Sequence, residues 1–328
     1  MKRRQFLCQT ALTGLGLALA PQLLAHETQP ISVGIIGLDT SHSTAFTKIL
    51  NDPEAAADVA GFRVTHAYPQ GSLDIESSIS RIPRYTQEMR EMGVEIVDSL
   101  EALLEKVELV LLETNDGRRH LEQARAVFSA DKPVFIDKPV AASFVDALAI
   151  YQSAKQYKVP VFSASSLRFS PTTVEVASGN KIGKILGAET YSPATLEPTH
   201  TDLFWYGIHG VEALFTLMGP GCRQVRRFYR QEVDVVVGEW EDGRIGTFRG
   251  VREGKTGYGG RAYGTEGIAE AGGYEGYRPL VVEIVRFFQT GVPPVSAEET
   301  LEIFAFMEAA EISKRKNGKP IRLDKVWK

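Results

Sequence analysis

The chain has 328 residues, 24% of them charged and 43% hydrophobic, and a formal net charge of −4. That length suffices for two domains that each bury a core, and an acidic balance with no basic stripe excludes nucleic acid as a partner in favour of a small molecule. The only cysteines are Cys8 and Cys222; Cys8 lies in a segment expected to be removed, so a disulfide framework is excluded as well.

Residues 1–25 open with Lys2, Arg3 and Arg4, continue into an apolar run and end on small residues, the pattern of a signal peptide. The run falls short of the ~20 residues that a membrane span needs. Arg3-Arg4 followed by Phe6-Leu7 resembles a twin-arginine signal, whose receptor takes folded cargo. A periplasmic or otherwise extracytoplasmic location is therefore expected, with cleavage after Ala25 and no membrane span thereafter.

The β-branched run at 31–37 ends in glycine and leads into a segment at 41–50 with apolar residues at Phe46, Ile49 and Leu50, which reads as strand then helix. A G-x-G-x-x-G phosphate loop beginning at Gly37 would place glycine at positions 39 and 42; the chain has Asp39 and His42. A carboxylate about 4 Å from a phosphate charge would repel it by about 4 kcal/mol at the effective dielectric near a protein surface. Asp39, Thr40 or Ser41 can alternatively cap the helix. The next strand, 62–68, is followed by no carboxylate before Asp74, so the usual ribose-binding acid is missing too.

Residues 73–93 read as loop and helix, 94–97 as a short strand, and Asp98 or Ser99 can cap a helix at 100–106. The apolar run 109–112 suits a central parallel strand and delivers Glu113, Thr114, Asn115 and Asp116 to its C-terminal end, where ligands gather in open α/β sheets. A helix at 120–130, a strand at 133–136 ending in Asp137-Lys138-Pro139, a helix at 144–157 and a strand at 161–164 complete the alternation. The expected fold is α/β: a Rossmann-like, doubly wound parallel sheet over residues 30–165, followed over 166–328 by an α+β domain with an open, mainly antiparallel sheet. The latter is read from strand-like runs at 185–191, 224–229, 233–240 and 246–251, a helix within 202–218, and terminal helices at 279–289 and 297–316.

This order resembles the glucose–fructose oxidoreductase, inositol dehydrogenase and MocA (Gfo/Idh/MocA) family. Phe135-Ile136-Asp137-Lys138-Pro139 is similar to its E-K-P segment, Leu167-Arg168-Phe169-Ser170-Pro171 to its R-F-x-P segment and Gly207-Ile208-His209 to its G-x-H segment. Asn115 and His120 match its loop and helix start after the fourth strand. The resemblance implies NAD or NADP held near Gly37, Asp39, His42, Thr114, Asn115, His120, Asp137 and Lys138, and hydride transfer with a sugar, polyol or glycoside. It also implies Lys138 and His209 as acid–base groups and Arg168 as an orienting cation. The family's carboxylate four residues before the histidine is replaced by Trp205, leaving Asp202 or Glu212 to take its part. Trp205 and Tyr206 are candidate substrate contacts, with Phe204, Tyr258 and Tyr274 as further rings for a sugar face. A homo-oligomer is implied by resemblance alone. Two other readings stay open: a non-catalytic sugar-binding protein, or a NAD-independent lyase, isomerase or hydrolase. The second would use acid–base groups or a divalent metal on Asp39 and His42 together with Glu113, Asp116, His120 or Asp137, with Asp39, His42 and Glu113 as the leading set, although the spacing is no recognised metal signature.

Overall fold

The computed structural model describes residues 29–327; the expected leader with its twin-arginine pair lies outside the described residues. Six parallel strands form the first sheet: β1 (Ile31–Ile36), β2 (Phe62–Tyr68), β3 (Glu95–Ile96), β4 (Leu109–Leu112), β5 (Val134–Ile136) and β6 (Val161–Phe162), in the order β3-β2-β1-β4-β5-β6. β1 and β4 are neighbours, so the strand order reverses between them and a crevice opens at their C-terminal ends. All four residues of β4 are buried, because helices cover both faces; this is why the strand is an unbroken apolar run.

The connections are α1 (Ser41–Leu50), α2 (Glu76–Ile79), α3 (Ile82–Glu91), α4 (Leu100–Leu104), α5 (His120–Ser129) and α6 (Phe144–Tyr157). Of the three candidate caps for α1, Thr40 is the one whose side chain accepts from the His42 amide, at 3.4 Å. Ser99 caps α4 by accepting from the Ala102 amide.

The second domain opens with α7 (Pro171–Ala177) and builds a seven-stranded sheet from β7 (Ile185–Pro193), β8 (Cys222–Tyr229), β9 (Val233–Trp240), β10 (Ile245–Val251), β11 (Gly259–Gly264), β12 (Ile268–Ala271) and β13 (Ile321–Arg322). β7 and β10 pair in parallel and the other neighbours are antiparallel. One face packs on α8 (Ile208–Met218) and α10 (Ala297–Arg315), with Phe215, Trp240, Phe248 and Phe306 in a shared core. The strands β11, β12 and β13 were not expected: the first two are short and glycine-flanked, and the third has two residues.

α9 (Arg278–Thr290) departs most from the expected domain division. It follows β12 in sequence yet packs on the first sheet, placing Leu280, Val281, Ile284, Val285 and Phe287 in one core cluster with Val33, Ile35, Phe46 and Phe135. Its apolar residues recur at helical spacing, but periodicity does not say which sheet they meet. The Phe287 ring lies 4.9 Å from that of Phe162 on β6. Phe287→Ala should therefore destabilise the N-terminal domain by about 3–5 kcal/mol, read as a lower urea midpoint with the m-value unchanged.

Candidate active site

A cavity of about 420 Å³ lies where the ends of β1, β4 and β5 face the second domain, and is lined by Thr40, Ser41, His42, Arg81, Tyr85, Asn115, Lys138, Ser166, Leu167, Tyr206, His209, Tyr258, Tyr274 and Tyr277. His42, Asn115, Lys138, Tyr206 and His209 were expected at a site, and the structure brings all five together. The first turn of α1 forms one wall, so the positive end of that helix is turned to the cavity.

His209, in the first turn of α8, is buried with Nδ1 2.9 Å from the Ser165 hydroxyl. Burial, then the nearby Lys138 and His42, hold its pKa well below that of ordinary histidine. It is a neutral base at pH 7. Its ring is flanked edge-on by Tyr206 and Tyr258, whose hydroxyls lie 3.2 Å apart. Burial raises the Tyr258 and Tyr277 phenols above their usual range, so both stay protonated donors. Lys138 Nζ lies 3.7 Å from Asp137 Oδ2 with its side chain 10% exposed, an ion pair at the cavity wall rather than on the surface.

Asp39 does not line the cavity. Its carboxylate is fully buried and accepts from the backbone amides of Ser72 at 2.8 Å and Asn115 at 2.9 Å. Burial raises its pKa while those amides act against the rise. A Cβ on Gly71 would come within 2.2 Å of the carboxylate, so glycine is required there for the loop after β2 to close on it. The clash expected from the sequence, with Asp39 thrust at a bound phosphate, is thus replaced by an internal hydrogen-bonded tie. Gly37 keeps its role: its φ is 89° and a Cβ would meet the Thr114 backbone at 2.6 Å. Asn115 donates from Nδ2 to Ser78 Oγ at 2.8 Å, and Arg118 pairs with both Asp74 and Asp116.

Other expected site residues fall elsewhere. His120 is buried off the cavity, its ring nitrogens against the carbonyl oxygens of Thr114 and Val140 at 2.6 and 3.2 Å. Asp202 sits in an ion cluster with Arg227 and Lys314, which holds it in the second domain and not beside His209. Arg168 is buried between Glu212 at 3.0 Å and Glu299 at 2.7 Å and does not line the cavity. Glu212 also accepts from the Ser165 amide at 2.9 Å, so Arg168 reaches His209 only through Glu212 and Ser165. Trp205 packs on the His200 ring at 4.9 Å and Phe204 on Phe304. Thr114, Asp137 and Glu113 lie buried beneath the cavity; of the suggested metal ligands, His42, Glu113 and Asp137 come together, while Asp39 of the leading set does not join them. Arg81, Tyr85 and Tyr277 were not foreseen. The glycine-spaced tyrosines of Gly-Gly-Tyr-Glu-Gly-Tyr at 272–277 were the available signal for Tyr277, since such spacing before a helix often marks a ligand-facing loop.

A parallel sheet with its crevice at the β1/β4 reversal, joined to a second domain with an open sheet, defines a two-domain α/β fold with a Rossmann-like first domain. Residues 31–165 match the Gfo/Idh/MocA model, described as oxidoreductase family, NAD-binding Rossmann fold. A comparison with curated protein sequences finds no match. Among solved structures, the chain is similar to scyllo-inositol dehydrogenase from Lactobacillus casei with bound NAD(H) and scyllo-inositol, at 15% identity and TM-score 0.70 over 90% of this chain and 99% of that one. It is also similar to myo-inositol 2-dehydrogenase from Lactobacillus plantarum, at 17% and 0.72 over 89% and 99%. The enzyme GenD2 of gentamicin A biosynthesis in complex with NAD gives 17% and 0.72 over 91% and 97%. At these identities the likeness is one of fold.

The residues present fit a dinucleotide at the α1 end of the cavity: Gly37 keeps its left-handed turn, Thr40 and Ser41 present the helix terminus, and the Asp39 charge is turned aside. With His209 neutral in the fold and ordinary when unfolded, the unfolded chain binds the extra proton as pH falls below the ordinary value of 6.5. Stability should therefore fall with pH from about 6.5 downward. Denaturant melts of wild type and His209→Gln at pH 7.5 and 5 test this: the variant should lose less.

Proposed function

We propose that this chain is an exported oxidoreductase that interconverts a hydroxyl and a carbonyl on a sugar, polyol or glycoside, with NAD or NADP as redox partner. The observation that carries the reading is one cavity lined by the Lys138 ammonium, a neutral His209, five tyrosines and the first turn of α1. Tyrosine rings give flat apolar area for a sugar face and hydroxyls for its polar edge. Thr40, Ser41, Asn115 and Arg81 would hold the dinucleotide, whose nicotinamide supplies the two-electron acceptor or donor.

In the oxidising direction Lys138 donates a hydrogen bond to the reacting oxygen, stabilising negative charge as it develops. His209 takes the hydroxyl proton on Nε2, which requires its other proton on Nδ1, donated to Ser165 Oγ. Reduction runs the same steps backwards. Arg168, through Glu212, fixes Ser165 and so the imidazole; it is a positioning residue. The twin-arginine motif supports export, and exposed Tyr191, Phe228, Ile245 and Tyr263 on the second sheet support self-association through its outer face.

Positioned proton transfer contributes roughly 10²–10⁴-fold to rate, so Lys138→Ala should lower kcat by about that factor on an oxidisable polyol, measured on variant protein shown to be folded. NAD or NADP should raise the melting temperature of the wild type. Absence of any such rise, together with no nucleotide released on denaturation, would overturn the cofactor assignment.

A further inference from the structure

We propose that His42, Glu113 and Asp137 form a binding site for one divalent first-row cation, zinc or manganese, in the cavity wall beside Lys138. One donor atom from each, His42 Nδ1 and a carboxylate oxygen of Glu113 and of Asp137, lies within 4.8 Å of the others. His42 Nδ1 is 2.8 Å from Asp137 Oδ2 and 3.9 Å from Glu113 Oε2. Ligands about 2.0–2.1 Å from a zinc ion stand about 3.3 Å from one another, so small rotamer shifts bring the trio to that spacing. The donor set, one imidazole and two carboxylates, suits zinc and manganese.

The placement is built into the sheet. The three residues come from the ends of adjacent strands: His42 from the first turn of α1 after β1, Glu113 directly after β4 and Asp137 directly after β5. The Glu113 amide bonds to Ile36 O and the Asp137 amide to Leu112 O, each at 2.8 Å, extending the ladders past the strand ends and fixing both backbones. The His42 ring is set by stacking on Phe46 at 5.4 Å and by the Tyr277 edge at 4.7 Å.

The observation that asks for a ligand is Glu113. Its side chain is wholly buried, and neither carboxylate oxygen has a hydrogen-bond partner. A bare buried carboxylate costs several kcal/mol, so this group must carry a proton or face a cation. The nearest chain cation, Lys138, pairs with Asp137. Metal binding at such a donor set releases protons from its ligands. Because His42 and Lys138 line the cavity, an open coordination position there would polarise a substrate oxygen as a Lewis acid. This is independent of the hydride-transfer reading.

The test uses the full chain, stripped with chelator and dialysed, without nucleotide or sugar. Zn²⁺ and Mn²⁺ are titrated calorimetrically, and retained metal is counted after desalting. The wild type should hold one equivalent, and Glu113→Gln, Asp137→Asn and His42→Asn should each weaken binding by at least about tenfold. Co²⁺ should give visible bands that disappear in His42→Asn. If Glu113→Gln does not fold, His42→Asn, altered at the cavity wall, supplies the comparison. Less than about 0.1 equivalent on folded wild type, or undiminished binding in His42→Asn, would overturn the site.

Discussion

One carboxylate organises the N-terminal crevice. Asp39 leaves the end of β1 and accepts from amides that belong to the loops after β2 and after β4, on opposite sides of β1 in the sheet. Buried backbone donors need acceptors, and this one side chain satisfies two of them. It draws Gly71 against itself, sets Asn115 at the cavity edge and keeps the first turn of α1 clear of its own negative charge. A buried carboxylate is costly unless it is hydrogen-bonded, so the tie holds only while both loops stay in register with it.

Most of the fold was legible because its signals are local. Apolar runs at β1 and β4, the caps at Thr40 and Ser99 and the alternation of β9 each follow from a few neighbouring residues. The motif residues Lys138 and His209 were legible because each stands at the end of an element within a short recognisable segment, Lys138 just after β5 and His209 in the first turn of α8. What sequence could not give was direction and partner. Asp39 in a phosphate loop reads as a charge pointed at a ligand, yet backbone amides 33 and 76 residues away claim it. Asp202, Arg168 and Trp205 look like site residues by proximity to motifs; Arg227, Glu212 with Glu299, and His200 take them instead. Long-range pairing of charges decides such cases, and nothing in local pattern encodes it.

The second domain carries its charges inside. Arg227 is wholly buried and held by Asp234, Glu311 and Asp202, and Arg168 is held by two glutamates. Removing one partner from such a cluster leaves an uncompensated charge. The Arg168–Glu212–Ser165 series places that sensitivity directly behind His209. The orientation of the His209 ring is therefore set by charges in the interior as well as by the tyrosine rings of the cavity.

α9 gives the chain a history as well as a shape. The parallel sheet is encoded before residue 165, but one of its faces is covered by residues 278–290. A chain growing from its N-terminus holds Val33, Ile35 and Phe135 without their final cover until almost nine-tenths of its length has been made, and exposed apolar surface in that interval invites association. Units of sequence and units of packing do not coincide here: the first domain is finished only when most of the second has been traversed.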